Sequence, residues 1–174
     1  MKTNYIYLVL LFFMMSLNAC QSQESPQKEQ TKKENIMSNK EFKVIKSEEE
    51  WKQSLSDEEY FVLRQAGTER PHTGKYNMHF EEGIYLCNAC KEPLFESDTK
   101  FDAHCGWPSF DKAIKGKVVE KLDRSHGMTR MEILCASCGS HLGHVFNDGP
   151  TETGLRYCMN SVSLDFEEAN ETED

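Results

Sequence analysis

The sequence predicts a mainly β fold, an antiparallel β-sheet domain with short helices at its N-terminal edge and a cysteine staple through it. Three observations carry that prediction. Helix signals are confined to residues 47–67. Beyond Gly67 the chain breaks into short segments rich in β-branched and aromatic residues between Gly, Pro and Asp turns, with no repeat and no βαβ rhythm. Four of the seven cysteines fall into two C-x-x-C pairs.

Taken in chain order, residues 1–19 read as an export signal. Lys2 supplies the positive charge, and an apolar run from Tyr5 to Leu17 follows that is short for a bilayer span. Leu17-Asn18-Ala19-Cys20 resembles a bacterial lipobox, which implies cleavage before Cys20 and lipidation of its thiol. Residues 20–40 are polar and lack aromatics, so they cannot bury enough apolar surface to order themselves and read as a disordered tether. The folded domain is expected over 41–168, followed by an acidic tail at 169–174. With a formal charge of −9, the chain is a poor candidate for nucleic acid.

Within the domain, Ser47 with Glu50 and Ser56 with Glu59 have capping-box spacing and start two helices. Trp51 with Leu55 and Tyr60 with Leu63 give each an apolar face, and Gly67 is placed to end the second. Segments 83–86, 117–120 and 131–134 read as strands. A last strand is expected over 155–166, its alternation putting Arg156, Cys158, Asn160, Val162, Leu164 and Phe166 on one inward face that turns polar at its start.

Cys87 and Cys90, and Cys135 and Cys138, form two knuckles separated by 44 residues. Four thiolates suit tetrahedral Zn²⁺, and each two-residue gap lets both sulfurs of one turn reach the same ion. The separation is wider than in a compact zinc ribbon, so the ion would clip two distant hairpins, with no ligand position open to water. Disulfides within or across the pairs, or a C-x-x-C redox centre, are the alternatives in an exported chain.

Two cysteines remain beside Cys20. Cys158 is the stronger nucleophile candidate, because a reactive thiolate needs cations or donors nearby and Arg156, His141 and His144 can supply them. Cys105 sits in a loop flanked by Gly106 and Pro108, with Trp107 as an apolar wall. The combination suggests an apolar pocket with an attacking thiol and a second thiol to resolve it. For the histidines, a second metal site or a satisfied turn are the competing readings.

Gly67-Thr68-Glu69-Arg70-Pro71, Thr73-Gly74-Lys75-Tyr76, Cys105-Gly106-Trp107-Pro108-Ser109-Phe110, His141-Leu142-Gly143-His144-Val145-Phe146, Asp148-Gly149-Pro150 and Arg156-Tyr157-Cys158-Met159-Asn160-Ser161, with the two C-x-x-C pairs in place, resemble the peptide-methionine (R)-S-oxide reductases. The likeness implies a zinc-stapled β fold and reduction of methionine-R-sulfoxide in oxidised proteins. It implies Cys158 as catalytic cysteine, passing through a sulfenic acid, and Cys105 as resolving cysteine. It further implies proton donation by His141 or His144, hydrogen bonding by Asn160, Trp107 against the substrate methyl, and recycling of a Cys105–Cys158 disulfide by thioredoxin or a similar dithiol. His72, Ala103-His104 and Met131 depart from the usual pattern of Phe, Ser-Gly and Thr. The expected location is the bacterial cell envelope, with the domain lipid-anchored through Cys20 on the exported side of a membrane. An inactive zinc-stapled binding module is the alternative function, and a thiol peroxidase or cysteine hydrolase a further rival.

Overall fold

The computed structural model describes residues 41–169. The expected signal segment, Cys20, the tether and all but the first residue of the acidic tail lie outside the described residues. No helix among the described residues is long and apolar enough to cross a membrane.

Helices α1 (Glu48–Ser54) and α2 (Asp57–Gln65) both open with the expected reciprocal caps. Glu50 N donates to Ser47 Oγ at 3.2 Å and Ser47 N to Glu50 Oε2 at 2.7 Å, and Glu59 and Ser56 repeat the exchange. Trp51 and Leu63 are buried, while Leu55 and Tyr60 pack at the core margin. The end of α2 differs from expectation. Ala66, not Gly67, adopts the left-handed conformation (φ 54°), and Gly67 is needed because the Phe61 ring occupies the space a Cβ would take.

Nine strands follow: β1 (Gly83–Cys87), β2 (Pro93–Glu96), β3 (Lys100–Phe101), β4 (Ser109–Phe110), β5 (Val118–Asp123), β6 (Arg130–Cys135), β7 (His141–Phe146), β8 (Arg156–Met159) and β9 (Leu164–Glu168). They form a three-stranded sheet, β2-β1-β9, and a six-stranded sheet, β3-β4-β8-β7-β6-β5, and every pairing is antiparallel. The core between them is aromatic, with Phe95 stacked on Phe110 at 4.4 Å and Tyr85 edge-on to Phe110 at 5.0 Å.

The expected single last strand is two strands in different sheets. A 3-10 turn at Ser161–Ser163 carries the chain from β8 in the larger sheet to β9 in the smaller one. Its faces are also reversed at the start: Tyr157 and Met159 enter the core, whereas Arg156 and Cys158 lie half-buried on the opposite face. The chemistry therefore stands on the outer face of a central strand, backed by core on the other side.

Candidate active site

The two C-x-x-C knuckles are the turns of two hairpins, β1–β2 and β6–β7, and they are built alike. Lys91 N donates to Cys87 O at 2.7 Å and Gly139 N to Cys135 O at 2.9 Å, each from a left-handed residue just after the second cysteine. Cys87 N then donates to Glu92 O and Cys135 N to Ser140 O, closing each turn on its hairpin. The four sulfurs lie within 4.8 Å of one another, with Cys87–Cys138 at 3.8 Å and Cys90–Cys135 at 3.6 Å, and all four cysteines are free. They form a site that can hold a metal ion, joining the smaller sheet to the larger.

Strand register builds the second site. Cys158 on β8 pairs with Ser109 on β4 and with His144 on β7. The loop between β3 and β4 bends through left-handed His104 (φ 53°) and Gly106 (φ 91°), where a Cβ on Gly106 would come within 2.9 Å of the His72 backbone. That bend brings Cys105 Sγ to 3.8 Å from Cys158 Sγ and 3.5 Å from Ser109 Oγ. The thiols titrate as a pair. The contact with Cys158, against burial and with help from the Ser109 hydroxyl, holds Cys105 down to about 5. The same contact, burial and the neighbouring sulfur's charge push Cys158 up, while Arg156 pulls it down. Arg156 lies beside the pair and favours negative charge on either sulfur. Asp148 grips Arg156 through two hydrogen bonds of 2.8 Å.

A cavity of about 110 Å³ opens over Cys158, lined among others by Trp107, Arg130, His144, Phe146 and Asn160. Trp107 Nε1 donates to Glu69 O at 3.3 Å, which sets the indole's edge and leaves its face to the cavity wall. Asn160 is buried, accepting from Glu69 N and donating from Nδ2 to Leu142 O, both at 3.1 Å.

The two histidines differ. His144 lines the cavity, and its Nε2 meets Asp123 Oδ2 at 2.8 Å, leaving Nδ1 as the ring nitrogen that can serve the site. Burial lowers the pKa of His144, the Asp123 contact opposes that, and the charges of Arg130 and His141 lower it further. Burial pushes Asp123 up, but Ser125, His144 and Arg130 together hold it well below the ordinary carboxylate range. His141 does not line the cavity; it is buried with Nδ1 on Glu132 Oε1 at 2.8 Å, and its Nε2 has no hydrogen-bond partner. Each histidine has a carboxylate partner, and among the described residues the only cluster of three or more potential metal ligands is that of the four cysteines.

All ten sequence-predicted site residues thus fall into two groups: Cys87, Cys90, Cys135 and Cys138 in one, and Cys105, Trp107, His141, His144, Cys158 and Asn160 in or beside the other. Sequence reasoning missed Glu69, Asp123, Arg130, Glu132 and Asp148. Cross-strand register places Asp123 opposite Arg130 and Glu132 opposite His144, and no local spacing signals either pairing.

Comparison with known proteins agrees with this geometry. The SelR domain family profile matches residues 55–168. The peptide methionine sulfoxide reductase MsrB of Chromohalobacter salexigens is 60% identical over 126 residues, covering 71% of this chain and 95% of that protein. Its counterpart in Agrobacterium fabrum is 59% identical over 126 residues (72% and 93% covered). That of Variovorax paradoxus is 57% identical over 129 residues (71% and 95%). With a dithiol pair at a small cavity walled by Trp107, and with this likeness over the whole folded domain, the chain belongs to the SelR-domain family, the peptide-methionine (R)-S-oxide reductases.

Proposed function

We propose that this chain reduces methionine-R-sulfoxide in peptides and proteins, with Cys158 as the attacking sulfur. The observation that carries the reading is the 3.8 Å Cys105–Cys158 pair, with Cys158 lining a cavity bounded by Trp107, His144 and Asn160. The Cys158 thiolate attacks the sulfoxide sulfur as its oxygen takes a proton from His144; the S–S bond so formed and the S–O bond then break as that oxygen, now a hydroxyl, moves to the Cys158 sulfur. Methionine leaves, and Cys158 is oxidised to a sulfenic acid. Cys105 then attacks that sulfur, water departs, and the two cysteines form a disulfide.

His144 is the proton donor, because it lines the cavity across from Cys158, whereas His141 is buried against Glu132 and orients the neighbouring strand. Asn160 spends one Nδ2 hydrogen on Leu142 O, and its second is the donor assigned to the sulfoxide oxygen. Trp107 packs against the substrate methyl. An external thioredoxin-like dithiol regenerates the pair by exchange.

The ion assigned to the four cysteines is Zn²⁺. A tetrahedron with Zn–S of about 2.3 Å has S–S edges of about 3.8 Å, and the observed 3.6 and 3.8 Å edges fit it with no bond-forming sulfur pair. Zn²⁺ there would be structural, holding Cys87 and Cys90 of one hairpin to Cys135 and Cys138 of the other. The N-terminal sequence supports export and lipid anchoring through Cys20 in a bacterial envelope; incorporation of labelled fatty acid, abolished by Cys20→Ala with processing blocked, tests this.

The deciding experiment is dithiothreitol-driven reduction of separated R and S epimers of a methionine sulfoxide peptide by metal-loaded protein, with Cys158→Ser alongside. Turnover of R alone, lost in Cys158→Ser, is expected. Turnover of neither epimer would overturn the reading in favour of a binding module.

A further inference from the structure

Glu69 meets two residues that line the cavity through its backbone, and the turn that follows one of them through its carboxylate. Its N–H donates to Asn160 Oδ1 at 3.1 Å, and its carbonyl accepts from Trp107 Nε1 at 3.3 Å. Its carboxylate accepts from Ser161 N at 2.6 Å and Val162 N at 2.9 Å, the first two amides of the turn that leaves the site after Asn160. Glu69 is only 5% exposed, and its carboxylate meets backbone amides and no cation. The chain on either side supports the same grip. Gly74 has no room for a Cβ, since one would come within 2.8 Å of Glu69 Oε1, and Tyr76 N donates to Ser161 Oγ at 2.6 Å. His72 N donates to Gly106 O at 2.8 Å, in the residue just before the indole that Glu69 holds.

We propose that Glu69 is a positioning residue that fixes the spacing between the Trp107 wall and Asn160, and thereby sets how large an S-alkyl group the cavity admits. The carboxylate anchors the 161–162 backbone, the backbone of Glu69 then places Asn160 on one side and Trp107 on the other, and the cavity between them is about 110 Å³. Trp107 and Asn160 both line that cavity, so the separation between them limits the S-alkyl group that can lie there. Loosening Glu69 frees both boundaries together, which no change at Cys105, Cys158 or His144 does. The inference deepens the sulfoxide-reductase reading and rests on it.

The test compares methionine sulfoxide with ethionine sulfoxide as R-epimer substrates in single-turnover assays on full-length, metal-loaded protein. Wild type is expected to favour the methyl compound strongly. Glu69→Gln keeps one acceptor oxygen but turns an amide N–H toward an N–H donor, so the methyl rate should fall about tenfold, the worth of one charge-assisted hydrogen bond. The methyl-to-ethyl ratio should shrink several-fold, and the rate at which dithiothreitol reduces the Cys105–Cys158 disulfide should stay within about twofold of wild type. Trp107→Phe loses the bond to Glu69 O together with part of the wall, so it should relax the same ratio, and the double variant should add little to either. If Glu69→Gln fails to fold, Glu69→Asp, which draws the carboxylate back by one methylene from Ser161 N and Val162 N, supplies the ratio. An unchanged ratio in the folded variants, or a ratio change that adds fully in the double variant, would overturn the proposal. Failure of wild type to turn over either sulfoxide would instead sink the reductase reading itself.

Discussion

Replacing Asn160 by Ala tests the polar frame of the site most directly. Asn160 is 3% exposed, and its side chain accepts from Glu69 N and donates to Leu142 O. Leu142 O keeps a second donor, the Asn160 backbone N–H at 2.8 Å, so that partner loses one bond of two. Glu69 N loses its side-chain acceptor inside the protein. An orphaned buried amide costs about 1–3 kcal/mol and a lost bond to a carbonyl that is still paired about 0.5–1.5 kcal/mol. The sum, about 1.5–4.5 kcal/mol, corresponds to roughly 6–17 °C in Tm for a domain of this size. Thermal melting of metal-loaded wild type and Asn160→Ala, with urea titration for the free energy, measures it. A loss below about 0.5 kcal/mol, the level of an ordinary surface substitution, would refute the reasoning.

The remaining expectations concern protons, thiols and metal. Asp123→Asn weakens the contact that raises the His144 pKa against burial, so His144 falls further. A donor must be protonated to act, so the decline of single-turnover rate with rising pH should begin at lower pH in the variant; an unmoved basic limb would remove His144 from the donor role. Cys105→Ser should lose thioredoxin-supported turnover and keep dithiothreitol-supported turnover, because only the resolving thiol is gone; retention of both would take Cys105 out of the cycle. Chelation under denaturing conditions, or Cys135→Ser, should release one zinc per chain by elemental analysis and lower Tm by well over 10 °C, since a four-thiolate ion supplies on the order of 10 kcal/mol or more of apparent folding energy. A metal-free chain melting like the loaded one would contradict the stapling role.

Local signals carried much of this structure into the sequence. Capping boxes need four adjacent residues, and both form as spaced. A C-x-x-C knuckle is likewise complete within one turn, so both could be read, and even the hairpins they close followed from their separation. The break between β8 and β9 could not be read. Period-two alternation runs through Asn160-Ser161-Val162-Ser163 without a Gly or Pro, and the turn there is held by a carboxylate about ninety residues earlier in the chain. Nor could sequence separate His141 from His144. Both are histidines on one strand, and what distinguishes them is which carboxylate the neighbouring strand or hairpin sets beside each, Glu132 or Asp123.

That the two knuckles are hairpin turns has a further consequence, for the order in which the molecule assembles. Each hairpin can close on its own, but Cys87 must find Cys138 across 51 residues and Cys90 must find Cys135 across 45. An ion joining them would hold β1 beside the larger sheet with one edge left for β9, at the far end of the chain, to pair with. Docking of β9 draws in the Ser161–Ser163 turn, and with it the residues around Cys158. Closing the two hairpins on one ion early would keep the four ligand thiols out of exchange while Cys105 and Cys158 come together, an order that thiol labelling during refolding would read.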